Sequence, residues 1–282
     1  MKQNINRQSL YFFLITFLIT WGCHIPYVAS IKGILPFRPP VALLFLGVFG
    51  PLIAALFLTA YYSGMEGVKG LLKKFLIWKV SWKWYAIALL TAAAIRFAGL
   101  EILAVFEGPL PGVTFVDPAV LLLSLPQWIL IVPIEEIGWR GYALPRLQTK
   151  FNALNASLIL GILWGTWHVP LMFIQPNRMI GGSLEWGIGI FLLSTLLATI
   201  FMAWIYNSTN GSLLIVTLFH AANNTAFSIF DLPVEYQFPH ILITLSLAVL
   251  VIIWVVWRNG VENLSNRDRV KQSEVGPTTT TK

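Results

Sequence analysis

Charge is the scarcest property of this chain: only 11% of its 282 residues are charged, whereas 57% are hydrophobic, and the mean hydropathy is +0.74. Soluble domains carry about 25% charged residues, so the composition predicts a membrane protein. No polar stretch is long enough to build a core of its own, and residues 1–282 read as a single integral membrane domain. Cysteine is almost absent. Cys23 stands alone, which rules out an internal disulfide and any thiolate cluster. The net charge of +7 comes from basic residues in short segments between apolar runs. They suit anionic headgroups, so the lipid bilayer is the predicted partner and nucleic acid is not.

What is abundant is long apolar sequence. A membrane crossing needs about 20 such residues, and the runs Ser9–Ser30, Val41–Tyr62, Trp84–Phe106, Pro118–Leu147, Asn155–Phe173, Trp186–Tyr206, Ser212–Phe230 and Pro239–Trp257 qualify. The predicted fold is all-α and polytopic, with about eight transmembrane helices. Pro126 and Pro133 predict a kink in the fourth run, opening carbonyls to a cavity. With eight crossings both termini share a side. Lys2, Arg7, the lysines from Lys69 to Lys83, Arg140, Arg146, Lys150 and the C-terminal basic residues fall there, against Lys32, Arg38 and Arg178 opposite, which predicts cytoplasmic termini.

The first run resembles a signal peptide but is long enough to span, and it reads as a retained helix. Gly67–Trp82 reads either as a helix in the headgroup layer or as a basic loop. From residue 258 to 282 the chain reads as a polar, disordered tail.

Against this background Pro133-Ile134-Glu135-Glu136-Ile137-Gly138-Trp139-Arg140-Gly141-Tyr142 stands out. An ionised side chain at membrane depth costs several kcal/mol unless it pairs, protonates or faces water. Arg140 follows Glu136 by four residues, the spacing of an ion pair on one helix face, which leaves Glu135, turned about 100° away, to act on water. His168 and His220 lie in two other apolar runs, and Asn224 shares the face of His220. At 1.5 Å per residue, Glu135 lies about 18 Å, His168 about 20 Å and His220 about 12 Å from the predicted cytoplasmic ends. These groups are predicted to meet in one polar intramembrane cavity. A carboxylate can there serve as general base, His168 can share its proton, and His220 with the Asn224 amide can donate to a developing oxyanion. Those roles compose a peptide hydrolase.

The remaining polar residues have plainer readings. His24 and His240 are predicted at the interface, and Trp78, Trp82, Trp84, Trp186, Trp254 and Trp257 as interfacial anchors. Trp139 reads either as a cavity wall or as core packing, and Arg96, near Glu101, as a structural charge or a neutraliser of a site carboxylate.

The motifs carry a resemblance. Glu135-Glu136-Ile137-Gly138-Trp139-Arg140-Gly141 resembles the EExxxR motif of the CAAX-processing and bacteriocin-processing intramembrane endopeptidases, the CPBP family. Trp164-Gly165-Thr166-Trp167-His168 is similar to its FxxxH motif, with tryptophan in place of phenylalanine, and His220-Ala221-Ala222-Asn223-Asn224 to its HxxxN motif. The resemblance covers residues 121–229. It implies Glu135 and His168 around the attacking water, His220 and Asn224 at the oxyanion or a metal, and Glu136 and Arg140 organising the site. It implies a membrane-associated protein or peptide as substrate: prenylated C-termini in some members, maturing peptides in others. It leaves open a Zn2+ metalloprotease, with Glu135, His168 and His220 as ligands, or a metal-free glutamate mechanism. The residues favour the latter, because no HExxH helix is present and Asn224 is a better donor than zinc ligand. No GxSG or GxGD motif supports serine or aspartate chemistry. Two other readings of the cluster are an ion-coupled transporter and a non-catalytic scaffold or immunity protein.

Overall fold

The computed structural model describes residues 5–174 and 183–272. Helix α1 (Ile5–Ile31) is followed by α2 (Ala42–Val48) and α3 (Gly50–Lys73), bent by 46° relative to each other, and by α4 (Trp82–Glu107). The middle of the chain forms α5 (Pro118–Ile131), the single turn α6 (Pro133–Glu136), a π-helical segment (Ile137–Ala143) and α7 (Leu144–Lys150). Then come α8 (Ala153–Trp167), the turn α9 (Val169–Met172), α10 (Leu184–Ser208), α11 (Leu213–Ala226) and α12 (Val234–Asn263). Two short strands, β1 (Thr114–Phe115) and β2 (Phe230–Asp231), pair antiparallel.

The all-α, multi-pass architecture expected from composition is present. Among the described residues, Arg7–Ile31, Trp82–Glu107, Pro118–Lys150, Leu184–Ser208 and Val234–Asn263 are long and apolar enough to cross a membrane, and the bent α2–α3 pair makes a sixth candidate. The expected count of eight is not confirmed among the described residues. α8 and α11, with 15 and 14 residues, rise only about 21–23 Å against a hydrocarbon core of about 30 Å. Their apolar character has another cause: protein, rather than lipid, covers much of both helices. Outward-facing leucines such as Leu122, Leu123 and Leu130 on α5 instead present the surface that lipid solvates.

Small residues let the helices around the site approach closely. A Cβ on Gly165 of α8 would lie 2.5 Å from Thr195 Oγ1 of α10, and one on Gly138 would lie 2.7 Å from the Pro51 carbonyl oxygen of α3. Both contacts are tighter than any side chain tolerates, so these glycines fix the spacing of the helices that flank the glutamates.

The tail departs from expectation. α12 runs to Asn263, and residues 264–272 continue as hydrogen-bonded chain. The buried amides of Gln148 and Asn207 need partners, and the tail backbone supplies them. Gln148 Nε2 donates to Val270 O at 2.7 Å and Val270 N donates to Asn207 Oδ1 at 3.1 Å. Lys2, Arg178 and Lys282, used above to orient the chain, and the tail beyond residue 272 lie outside the described residues.

Candidate active site

The site is built on an irregular helix. Pro133 opens α6, where a missing N–H is tolerated, but the larger irregularity begins after Glu136. There the backbone widens to π spacing, with Leu144 N donating to Trp139 O. Single π turns are uncommon and concentrate at functional sites. The kink expected at Pro126 and Pro133 does not break the run, which continues from Pro118 to Lys150 as one candidate span, and the helix irregularity lies in the π segment. The widened turn is held from outside, because Lys74 Nζ donates to Gly141 O at 3.0 Å and to the Tyr206 hydroxyl at 3.1 Å.

Glu136 is wholly buried and doubly engaged. Arg140 Nη1 donates to its Oε1 at 3.0 Å, and His220 Nδ1 donates to the same oxygen at 2.7 Å. Arg140, itself fully buried, also donates through Nη2 to Thr199 Oγ1 of α10 at 3.2 Å and lies over the Trp164 ring at 4.2 Å. The ion pair is thus desolvated and hydrogen-bonded on both partners, as a buried charge pair requires. Glu136 has its charge committed to protein.

Glu135 faces differently. It is half-buried, and its Oε2 accepts from the Trp164 indole N–H at 2.8 Å. Trp164 joins the parts of the site: its carbonyl accepts from His168 Nδ1 at 2.9 Å, and its ring meets the His220 ring edge-on at 5.3 Å. A carbonyl can only accept, so His168 carries its proton on Nδ1 and, when neutral, its lone pair on Nε2. His168 is further bounded by the Trp167 and Phe191 rings at 4.5 and 5.1 Å.

Of the six residues read from the sequence, Glu135, Glu136, Arg140, His168 and His220 are joined in one network through Trp164. Asn224 is half-buried one turn beyond His220, and none of the network's hydrogen bonds reaches it. Sequence reasoning missed the roles of Trp164 and Thr199. The FxxxH-like motif marked the position of Trp164 without its bond to Glu135, and Thr199 gave no signal. His24 and His240 are buried rather than interfacial, bonded to Leu44 O and Arg96 O respectively. Trp84 is likewise buried against Trp204, at 5.0 Å, rather than anchored in an interface. Trp139 packs in the core between Phe12 and Trp167, and Arg96 lies over the Phe227 and Phe230 rings rather than at a site carboxylate.

A zinc centre needs three or more converging ligands. Among the described residues no three His, Cys, Asp or Glu side chains converge in this way. Glu135 turns to the Trp164 indole, while the Nδ1 bonds of His220 to Glu136 and of His168 to a carbonyl leave Nε2 of each ring as the nitrogen that could ligate. The set Glu135, His168 and His220, expected if a metal were used, is not assembled as a three-ligand group in this arrangement.

The family described as type II CAAX prenyl endopeptidase, Rce1-like, matches residues 117–226. That stretch runs from the N-cap of α5 to the end of α11 and contains every residue of the network. The chain is also similar to CAAX prenyl protease 2 of Methanococcus maripaludis, 26% identical over 224 residues, or 74% of this chain and 80% of that protein. The matched region carries the paired glutamates, the arginine four residues on and the two histidines, gathered inside a bundle of apolar helices. Across this region the chain is similar to the CAAX-type intramembrane endopeptidases.

Proposed function

We propose that this chain hydrolyses a peptide bond of a membrane-associated protein or peptide with water activated by Glu135. The observation that carries the reading is the unequal treatment of the two glutamates. Glu136 is buried and held by Arg140 and His220, whereas Glu135 is half-buried with one oxygen on Trp164. Glu136 Oε2 is unpaired but wholly buried, whereas Glu135 combines an oxygen outside the Trp164 bond with partial exposure, so it is the better placed of the two to meet water.

A water between Glu135 Oε1 and His168 Nε2 gives a proton to the carboxylate as its oxygen bonds to the peptide carbonyl carbon. The oxyanion so formed is met by the Asn224 amide and by His220. The latter, in its doubly protonated form, donates through Nε2 while Nδ1 stays on Glu136. The C–N bond then breaks, and the proton held by Glu135 passes to the leaving amine. Glu136 and Arg140 are positioning residues, since they act through His220 and Trp164. Similarity to CAAX prenyl protease 2 supports a lipid-modified C-terminal peptide, presented from the bilayer, as the substrate class.

The test compares peptide termini, by mass spectrometry, in membranes from cells expressing this chain or its Glu135→Gln variant at equal abundance. Termini present only with the intact glutamate are expected, and they would identify the substrate. Identical sets from two folded proteins would overturn the reading and favour transport through the same polar cluster.

A further inference from the structure

Away from the site, at the end of the bundle where α10 and α12 finish and α4 starts, lies a cavity of about 590 Å³. Four cations line it, Lys79, Lys83, Arg258 and Arg267, and no carboxylate does. Among the described residues none of the four makes an ion pair. Lys83 lies over the Trp84 ring at 5.4 Å, and Arg267 donates to the neutral Asn210 amide oxygen at 2.8 Å. Lys83 also sits in the first turn of α4, which contains no acidic residue and where the helix dipole disfavours a cation. Four like charges converging without a counter-charge call for an anion.

Three tryptophans share the lining with the cations. Trp84 and Trp204 meet edge-on at 5.0 Å, and Trp204 and Trp254 at 6.0 Å. Trp254 continues onto the outer face of α12, where Leu250, Trp254 and Trp257 share one exposed stripe. The cavity therefore runs from a cationic mouth onto apolar surface, a shape that suits a phosphate with hydrocarbon attached better than a free phosphate.

We propose that this cavity binds the headgroup of an anionic phospholipid. Lys79, Lys83, Arg258 and Arg267 hold the phosphate, and the acyl chains lie along the Trp254 stripe of α12. Basic pockets between helices are suited to such headgroups. The site is separate from Glu135 and its neighbours and does not depend on how they work.

Native mass spectrometry of the full chain in neutral detergent tests it, with phosphatidylglycerol, phosphatidylcholine or inorganic phosphate added. Phosphatidylglycerol is expected to bind in preference to phosphatidylcholine. The double change Lys83→Gln with Arg258→Gln should weaken it by about thirtyfold, as the loss of two cations near an anionic lipid warrants. Lys69→Gln with Lys73→Gln, which removes equal charge outside the cavity, should leave binding unchanged. All four side chains are exposed. Should the first pair not fold, Lys79→Gln with Arg267→Gln removes the other two charges from the same cavity. Equal binding of the two lipids, or equal loss in the control pair, would overturn the proposal. Binding of inorganic phosphate as tight as that of phosphatidylglycerol would reassign the cavity to a soluble phosphate.

Discussion

Nδ1 of His220 lies 2.7 Å from Oε1 of Glu136, whereas the adjacent Glu135 bonds the Trp164 indole instead. Glu135→Gln is expected to lower kcat by about 10²–10⁴-fold, the usual contribution of a general base, with little change in thermal stability. Glu136→Gln should lower both, because it leaves Arg140 as an uncompensated buried charge at a cost of about 3–5 kcal/mol. Turnover and melting temperature in detergent, measured on both variants, check this. Equal melting temperatures would sink the assignment of Glu136 to a structural ion pair.

Trp164 occupies the position where the family pattern has phenylalanine, and it adds an indole N–H to Glu135 Oε2 at 2.8 Å. Trp164→Phe keeps an aromatic face for Arg140 but removes a hydrogen bond to a charged group, worth about 1.5–3 kcal/mol. Turnover is expected to fall by about tenfold, far less than in Glu135→Gln. A loss as deep as that of Glu135→Gln would make Trp164 indispensable to positioning the carboxylate.

Gly138 permits the π segment to lie against Pro51 of α3, where a Cβ would stand 2.6 Å from the Pro51 Cβ and 2.7 Å from its carbonyl oxygen. Gly138→Ala forces these backbones apart and is expected to destabilise by about 1–3 kcal/mol. It should lower turnover as well, since Glu136 and Arg140 flank it. Gly70→Ala, with nothing within 4 Å, should be neutral or stabilising by up to about 1 kcal/mol. Melting curves of the two alanine variants that coincide would show that the close approach is not needed.

Much of the site was legible because its spacing is local. Glu136 and Arg140 sit four residues apart, as do His220 and Asn224, and helix geometry fixes such pairs whatever surrounds them. Their convergence followed from depth along the apolar runs. The rest depends on contacts between distant segments. The indole of Trp164 reaches Glu135 across 29 residues of sequence and Thr199 reaches Arg140 across 59, and neither residue type announces such a partner. Hydropathy also failed to separate lipid-facing from protein-buried chain. His24, His240 and Trp84 read as interfacial, because an apolar surrounding looks alike in sequence whether lipid or protein provides it.

The ordered tail supplies the last prediction. Asn207 donates through Nδ2 to Gln148 Oε1 at 2.7 Å and to Asn263 O at 2.8 Å, while its Oδ1 accepts from Gln148 Nε2 and Val270 N, each at 3.1 Å. One buried amide thus ties α10 to α7, the end of α12 and residue 270. Asn207→Ala leaves Gln148 Oε1, Asn263 O and Val270 N without these partners, Gln148 Nε2 keeping Val270 O, and should cost about 2–4 kcal/mol, given about 1–3 kcal/mol for each buried group left unsatisfied and partial rescue by water. The tail should also release, so that trypsin cuts at Arg267, Arg269 and Lys271 at least about tenfold faster than in the parent, as local opening by that free energy predicts. Turnover per folded molecule should be unchanged, because no residue of the Glu135 network touches this knot. Unaltered trypsin protection together with lost turnover would mean that Asn207 serves the site and not the tail.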